Sequence, residues 1–263
     1  MQERHTNREM YFHDLEVTSK EFYISYLSNF IRLTPECKIL EVGCGEGGNL
    51  APFVELGCKV TGVDISECKI DYAQSYSAQN HNATFVCCDF MQYAAPKSED
   101  DKYDIILLHD VIEHIPEKES FVLHIKKFLK PEGVFFIGFP AWQMPFGGHQ
   151  QICRSKLCSH LPFIHLLPNP LYRALLRLCK EEDGTIKEMM SVKECRTSIE
   201  LFERLVKTCG FAVADHKLWF INPHYKQKFH LTPRLLPRWM WKIRYIRNFF
   251  TTSCWYILKI DNK

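Results

Sequence analysis

Apolar positions along this chain change period repeatedly, and the changes mark out its elements. Residues 20–32 place Phe22, Tyr26, Leu27 and Phe30 on one helical face, with Thr18 or Ser19 as the cap and Pro35 as the stop. Residues 37–42 are a short apolar run that ends in glycines, and 49–56 read as a helix. A strand over 59–65 leads into a helix over 66–77 with Glu67 in its first turn. Residues 83–88 predict a third strand and 103–109 a fourth. The centre of the fourth, Ile105-Ile106-Leu107-Leu108, is apolar on both faces, as a buried parallel strand requires. A helix over 118–129 and a strand over 134–139 follow.

Strands alternating with helices in this way predict an α/β fold with a parallel sheet and right-handed crossovers. The alternation stops over residues 140–196, which hold prolines, histidines and one amphipathic stretch at 166–178. It resumes with a helix over 198–208 closed by Gly210, a strand over 211–221 and a last strand over 252–260.

With 263 residues, 46% of them hydrophobic, the chain can bury a large core, and its composition excludes disordered, collagen-like and coiled-coil classes. Its 33 basic and 31 acidic residues create no global field for nucleic acid. The local balance differs. Residues 225–250 carry seven Lys or Arg and no acid, interleaved with Trp239, Trp241, Tyr245, Phe249 and Phe250. That segment fits a solvated loop packed on the last strands, a peripheral contact with anionic lipid, or a basic patch for RNA. The 12 cysteines include no CxxC pair, so they read as small buried hydrophobes in a reducing compartment. Residues 1–6 are polar and no window reaches ~18 apolar residues. These features predict a cytoplasmic protein without a signal or a membrane span.

The most informative segment is Ile39-Leu40-Glu41-Val42-Gly43-Cys44-Gly45-Glu46-Gly47-Gly48. Glycines after a strand let the backbone turn sharply and approach a ligand, and Asp64-Ile65 ends the next strand, where a carboxylate accepts ribose hydroxyls. Gly43, Gly45 and Gly48 also match G-x-G-x-x-G, so a nicotinamide or flavin enzyme is an alternative. Glu41 argues against it, because an anion inside the strand would repel a pyrophosphate and attract an ammonium or sulfonium ligand. Asp89-Phe90 pairs an acceptor for an exocyclic amine with an aromatic ring, which suits adenine.

Over residues 37–140 the sequence resembles the class I S-adenosylmethionine-dependent methyltransferases, of the methyltransferase type 11 and quinone-biosynthesis kind. Glu41 to Gly47 resembles the cofactor loop, Asp64 the acidic ribose residue, Asp89-Phe90 the adenine pair and Tyr103 to His109 the fourth strand. Leu129-Lys130-Pro131-Glu132-Gly133-Val134 resembles the family's turn before strand five, with Glu132 in place of a glycine. The resemblance implies a Rossmann-like seven-stranded, mostly parallel sheet with an antiparallel last strand. It also implies S-adenosyl-L-methionine as cofactor, with S-adenosyl-L-homocysteine as product. Glu41, Gly43, Cys44, Gly45, Asp64, Ile65, Asp89, Phe90 and His109 are the implied cofactor residues, His109 as a pocket wall.

For the chemistry, His109-Asp110-Val111-Ile112-Glu113-His114 is similar to a Glu-x-x-Glu-His run that relatives associate with a divalent cation, with Asp110 for the first Glu. Glu113-His114 is read here as packing and capping, and no metal is assigned. His149, in Phe146-Gly147-Gly148-His149-Gln150-Gln151, and His114 are the candidate bases. Residues 1–36 would be N-terminal helices, with Tyr11, Phe12 and His13 closing one side. Residues 37–140 would be the cofactor half, 141–197 a substrate-capping insertion after strand five, and 198–263 the closing helix and strands, all one domain. In the insertion, Trp142, Met144, Phe146, Phe163, Leu166, Leu167 and Tyr172 would line or cover a pocket for a lipophilic or aromatic small molecule. Nucleic acid is disfavoured as substrate, because His109-Asp110-Val111 is not the Asn/Asp-Pro-Pro-Tyr/Phe run of amino-nitrogen methylases. The functions weighed are therefore O-methyl transfer to a small molecule, a nicotinamide-dependent oxidoreductase, and a non-catalytic cofactor binder.

Overall fold

The computed structural model describes residues 7–261; residues 1–6, where the polar N-terminal stretch was read, lie outside it. The strands are β1 (Lys38–Val42), β2 (Lys59–Asp64), β3 (Ala83–Cys87), β4 (Tyr103–His109), β5 (Leu129–Phe139), β6 (Phe211–Ile221), β7 (Arg234–Leu235) and β8 (Ser253–Ile260). They form one sheet in the order β3-β2-β1-β4-β5-β8-β6-β7. The first five are mutually parallel, and β8 runs antiparallel to both β5 and β6. The expected seven strands are eight, because Arg234 and Leu235 add a two-residue edge to β6 inside the segment read as a loop.

Alternation along each central strand divides the core. Leu40, Val42, Ile106 and Leu108 face one layer, with Phe121, Val122 and Ile125 of α5 (Lys118–Lys126) and Phe202, Leu205 and Val206 of α9 (Ile199–Thr208). Ile39, Ile105 and Leu107 face the other, with Phe53 of α3 (Ala51–Glu55), Ile70 of α4 (Glu67–Tyr76) and the N-terminal helices. Burying such side chains contributes about 1.5–3 kcal/mol each, which is why both faces of the sheet must be covered.

The N-terminal helix is longer than its predicted start. It runs as α1 (Arg8–Thr18), a π-helical turn (Ser19–Tyr23) and α2 (Ile24–Leu27), and its cap is Asn7, whose side chain accepts from the Met10 amide. Thr18 and Ser19 sit inside it because Phe12 and Leu15 extend the apolar stripe upstream. Ser19 instead donates to the Asn49 carbonyl, fastening the helix to the glycine loop at 2.7 Å. Leu129, predicted as the end of α5, opens β5 and pairs with Tyr103, and Lys130–Gly133 are strand rather than turn. A side chain at 133 would lie 2.7 Å from Leu129 Cδ1, so Gly133 serves packing.

The insertion folds around its own small core. Cys158, Tyr172, Leu176 and Met189, supplied by α6 (Lys156–His160), α7 (Asn169–Leu178) and α8 (Asp183–Cys195), are its centre, with Cys153 and Ile164 from the connecting turns. The C-terminal half is tied down by charge. Glu200 in α9 accepts from Arg247 Nε at 3.0 Å, Asn248 Nδ2 at 2.7 Å and the Tyr245 amide at 2.9 Å, and all three side chains of this Glu-Arg-Asn set are buried. Arg247 also reaches Glu203 at 2.7 Å. Removing Glu200 leaves the buried Arg247 guanidinium with only one of its two carboxylate partners and the Tyr245 amide without its acceptor. Glu200→Ala is therefore expected to destabilise the protein by about 3–5 kcal/mol in urea unfolding, and adding Arg247→Met should restore much of that loss.

Candidate active site

Strand order reverses between β1 and β4, and a crevice opens there at the carboxyl ends of the strands. Gly43 leaves β1 at φ +73°, and a Cβ there would stand 2.4 Å from Val111 Cγ2, so only glycine fits. The Gly45 amide donates to Asp64 Oδ2 and the Ser66 amide to Asp64 Oδ1, each at 2.9 Å. One carboxylate thus clamps the glycine loop to the start of α4 and keeps lone pairs to spare. Above the loop lies a cavity of about 450 Å³, bounded by Val42, Gly43, Asp64, Ile65, Asp89 and Phe90 and, from the exit of β4, by Asp110, Val111 and His114. Asp89 is exposed and accepts from the Met91 amide at 2.9 Å, while Phe90 is buried against Phe128.

Four residues read as cofactor-binding are not in that wall, among them Gly45, which meets it only through its bond to Asp64. Cys44 is buried, its amide donates to the Val63 carbonyl at 3.2 Å and its Sγ crowds Gly62, so it offers the cavity nothing. His109 falls on the Ile105 and Leu107 side of β4, where alternation turns it toward Tyr23 and Gly138 instead of the crevice. This corrects its reading as a pocket wall. Glu41 is 1% exposed and accepts from Asn49 Nδ2 at 2.7 Å, with no partner for its second oxygen among the described residues. Burial pushes its pKa up to about 8, against the Asn49 hydrogen bond and with Asp64 adding to the rise.

A second cavity of about 280 Å³ shares Asp110 and His114 with the first and adds Tyr11, Met144, Phe146, His149, Tyr225 and Lys228. Gly147 and Gly148 let the turn before His149 lie flat on the insertion: side chains there would stand 2.2 Å from the Trp142 carbonyl and 2.3 Å from His165 Cβ. The His149 and His114 rings meet edge to face with centroids 4.8 Å apart, and His149 Nε2 lies 3.8 Å from Glu113 Oε1. Burial lowers the His149 pKa to about 4, helped by His114, and burial also lowers His114. Glu113 is 4% exposed and neither carboxylate oxygen has a hydrogen-bond partner among the described residues, which overturns its reading as a cap. Glu113, His114 and His149 each bring one ligand atom within 4.8 Å of the others and are, among the described residues, the group that can hold a metal; Asp110 stands apart, 3.4 Å from His109.

A third, wider cavity of about 690 Å³ continues outward. It shares Met144, Phe146, Gln151, Tyr225 and Thr252 with the second and ends among Phe220, Phe229 and Leu231. Of the aromatic and apolar residues predicted to line a pocket, only Met144 and Phe146 do so. Trp142 meets His165 edge to face, Tyr172 and Leu167 belong to the insertion core, and Phe163 and Leu166 face outward. Of the N-terminal trio, Tyr11 lines the second cavity, Phe12 is buried and His13 is exposed beside Glu16.

Residues 40–135 match the family described as Methyltransferase domain. The chain is 35% identical over 124 residues to a ubiquinone biosynthesis O-methyltransferase of Bartonella tribocorum, a match covering 44% of this chain and 49% of that protein. It spans about half the length of the curated relatives it matches. Among solved structures, Haemonchus contortus phosphoethanolamine N-methyltransferase 2 with S-adenosyl-L-methionine aligns with TM-score 0.57 and 16% identity over 91% of this chain and 52% of that one. Magnesium protoporphyrin IX methyltransferase of Synechocystis aligns with TM-score 0.53 and 15% identity over 94% and 83%. These solved structures share the fold of this chain from the glycine loop to β5 and beyond.

Lys69 and Glu188 in the first cavity, and Tyr225 and Lys228 in the second, escaped the sequence reading. Lys69 follows the Asp64 strand end by one helical turn, whereas Glu188, Tyr225 and Lys228 lie on elements far from any motif and only tertiary folding brings them in. The Glu41 shift gives a test in the ligand-free protein. A raised pKa means stability present below the unfolded value near 4.5 is lost as pH rises toward about 8. Glu41→Gln should therefore gain on the parent between pH 5 and pH 8, by up to about 1.4 kcal/mol per pH unit in urea melts. An unchanged difference across that range would sink the assignment.

Proposed function

We propose that this protein transfers a methyl group from S-adenosylmethionine to a small-molecule acceptor, at oxygen, with the acceptor held beside His114 and His149. The observation that carries this reading is the common wall: Asp110 and His114 bound both the cavity above the glycine loop and the cavity next to it. Ligands in the two would be neighbours, which an in-line displacement needs.

The residues fit the cofactor. Gly43 admits close backbone approach, Asp64 and Asp89 retain acceptor capacity for hydroxyls and an amine, and Glu41 holds the loop through Asn49. The bound cofactor supplies an electrophilic methyl group on a sulfonium. His114 and His149, both shifted toward the neutral form, would take the proton that a hydroxyl acceptor must lose. Met144 and Phe146 would keep water from the reacting atoms. The wider outer cavity, ending at Phe220, Phe229 and Leu231, favours an acceptor with a lipophilic or aromatic body. The names of relatives, which are ubiquinone biosynthesis O-methyltransferases, support oxygen as the methylated atom. The basic segment 225–250 adjoins that outer opening, and membrane contact there is part of the proposal.

A second reading of the same site is favoured by Glu113, whose two buried oxygens have no partner among the described residues. In it Glu113, His114 and His149 hold a divalent cation that would polarise the acceptor oxygen. Equilibrium dialysis with Zn²⁺ or Mn²⁺ separates the two. The cation reading expects binding that His149→Ala weakens by at least about tenfold; no binding leaves the histidines as bases.

Calorimetric titration tests the main proposal. S-adenosylhomocysteine should bind and NADH should not, and the opposite result restores the oxidoreductase alternative. Asp64→Ala should cost roughly 1.5–3 kcal/mol of that affinity, about 10–150-fold in Kd. Labelled cofactor incubated with a lipid extract should then mark an organic-soluble product; binding without any transfer would indicate a non-catalytic cofactor binder.

A further inference from the structure

Two stretches of this chain carry cations and no acids. Residues 151–180 hold five Lys or Arg, residues 225–250 hold seven, and neither holds an Asp or Glu. The rest of the chain has the opposite excess, 21 basic against 31 acidic residues. The fold joins the two stretches. The Phe163 and Phe249 rings meet at a tilt with centroids 6.3 Å apart, Lys228 donates to Gln151 at 3.1 Å, and both stretches line the outer cavity.

Large apolar side chains stand outward on both. Trp239 is 66% exposed, Tyr245 63% and Leu178 80%, and Leu157, Ile246 and Phe250 are also exposed. Arg234, Arg238, Lys242 and Arg244 are exposed and make no ion pair among the described residues. By contrast Arg247 is turned inward onto Glu200, so the segment is held in place from beneath. No helix among the described residues is long and apolar enough to cross a membrane.

We infer that these stretches form one docking surface for an anionic lipid bilayer, with the outer cavity opening beside it. Charge complementarity and side-chain type select this occupant. Aromatic rings and the stems of Arg and Lys settle at the headgroup level, with charged ends toward lipid phosphates, and leucine and isoleucine enter the acyl boundary. RNA would reward the cations and rings, but not exposed aliphatic side chains such as Leu157, Leu178 and Ile246. A second copy docking through the same surface would set cations against cations. A lipophilic acceptor could then pass from the bilayer into the outer cavity without crossing water. That delivery role rests on the methyltransferase reading; the affinity for lipid does not.

The test is co-sedimentation of the full chain with vesicles of equimolar phosphatidylglycerol and phosphatidylcholine, against vesicles of phosphatidylcholine alone. Binding is expected only with the anionic vesicles and should fall as salt rises. Arg238→Glu combined with Lys242→Glu should reduce it at least tenfold, given about fivefold per cation removed. Brominated lipid should quench parent fluorescence more than that of Trp239→Phe. S-adenosylhomocysteine titration and thermal melting of each variant show whether the fold and the cofactor site are intact. The inference is overturned by failure to sediment while S-adenosylhomocysteine still binds, by equal binding to both vesicle types, or by charge-reversed variants that bind like the parent. Binding of transfer RNA in place of vesicles, or a stable dimer in gel filtration that the charge reversal dissociates, overturns it as well.

Discussion

Everything above the sheet depends on how closely β1 and β4 run at their carboxyl ends. Val42 lies in register with Leu108, and the chains then part in opposite directions, one into the glycine loop and the other into residues 110–115. Val111 occupies the space a side chain at 43 would need. Any larger residue there must push the exit of β4 outward, and that exit carries Asp110, Glu113 and His114. The loop and the candidate catalytic cluster therefore share one steric constraint, although 70 residues of sequence separate Gly43 from Glu113.

Much of the sheet was legible in the sequence because its signals are local. Tyr103–His109 and Phe211–Ile221 have the predicted limits, since a run apolar on both faces and a glycine after a helix need no knowledge of the rest of the fold. The misreadings share a cause. Thr18 and Ser19 look like caps until the upstream apolar stripe is packed, and Leu129 fits a helical face until β4 offers it a partner. The two-residue β7 has no periodicity to detect. At the site, Gly43, Asp64 and Asp89 follow from strand ends, whereas His109 was misplaced because its alternation phase points it to the other layer. The meeting of His149 with Glu113 and His114 needed tertiary structure: the insertion loop and the exit of β4 converge only once the sheet is formed.

Electrostatically, the cluster and the glycine loop use burial in the same direction. Glu41 and Glu113 are both acids held away from water with an oxygen unpartnered among the described residues, and both are pushed toward the protonated form. His114 and His149 are pushed toward the neutral form. The ligand-free site is thus poor in charge for its number of ionisable groups, and a positively charged ligand is what would restore it.

The bracket around residues 236–248 has a further consequence. Leu236 is buried and accepts from Trp241 Nε1 at 2.7 Å, and Arg247 and Asn248 are bound to α9 at the far end. The side chains displayed between these anchors contribute little to the core. They can be exchanged without disturbing the sheet beneath, as one refits a handle without touching the blade, so the character of this surface is set independently of the fold.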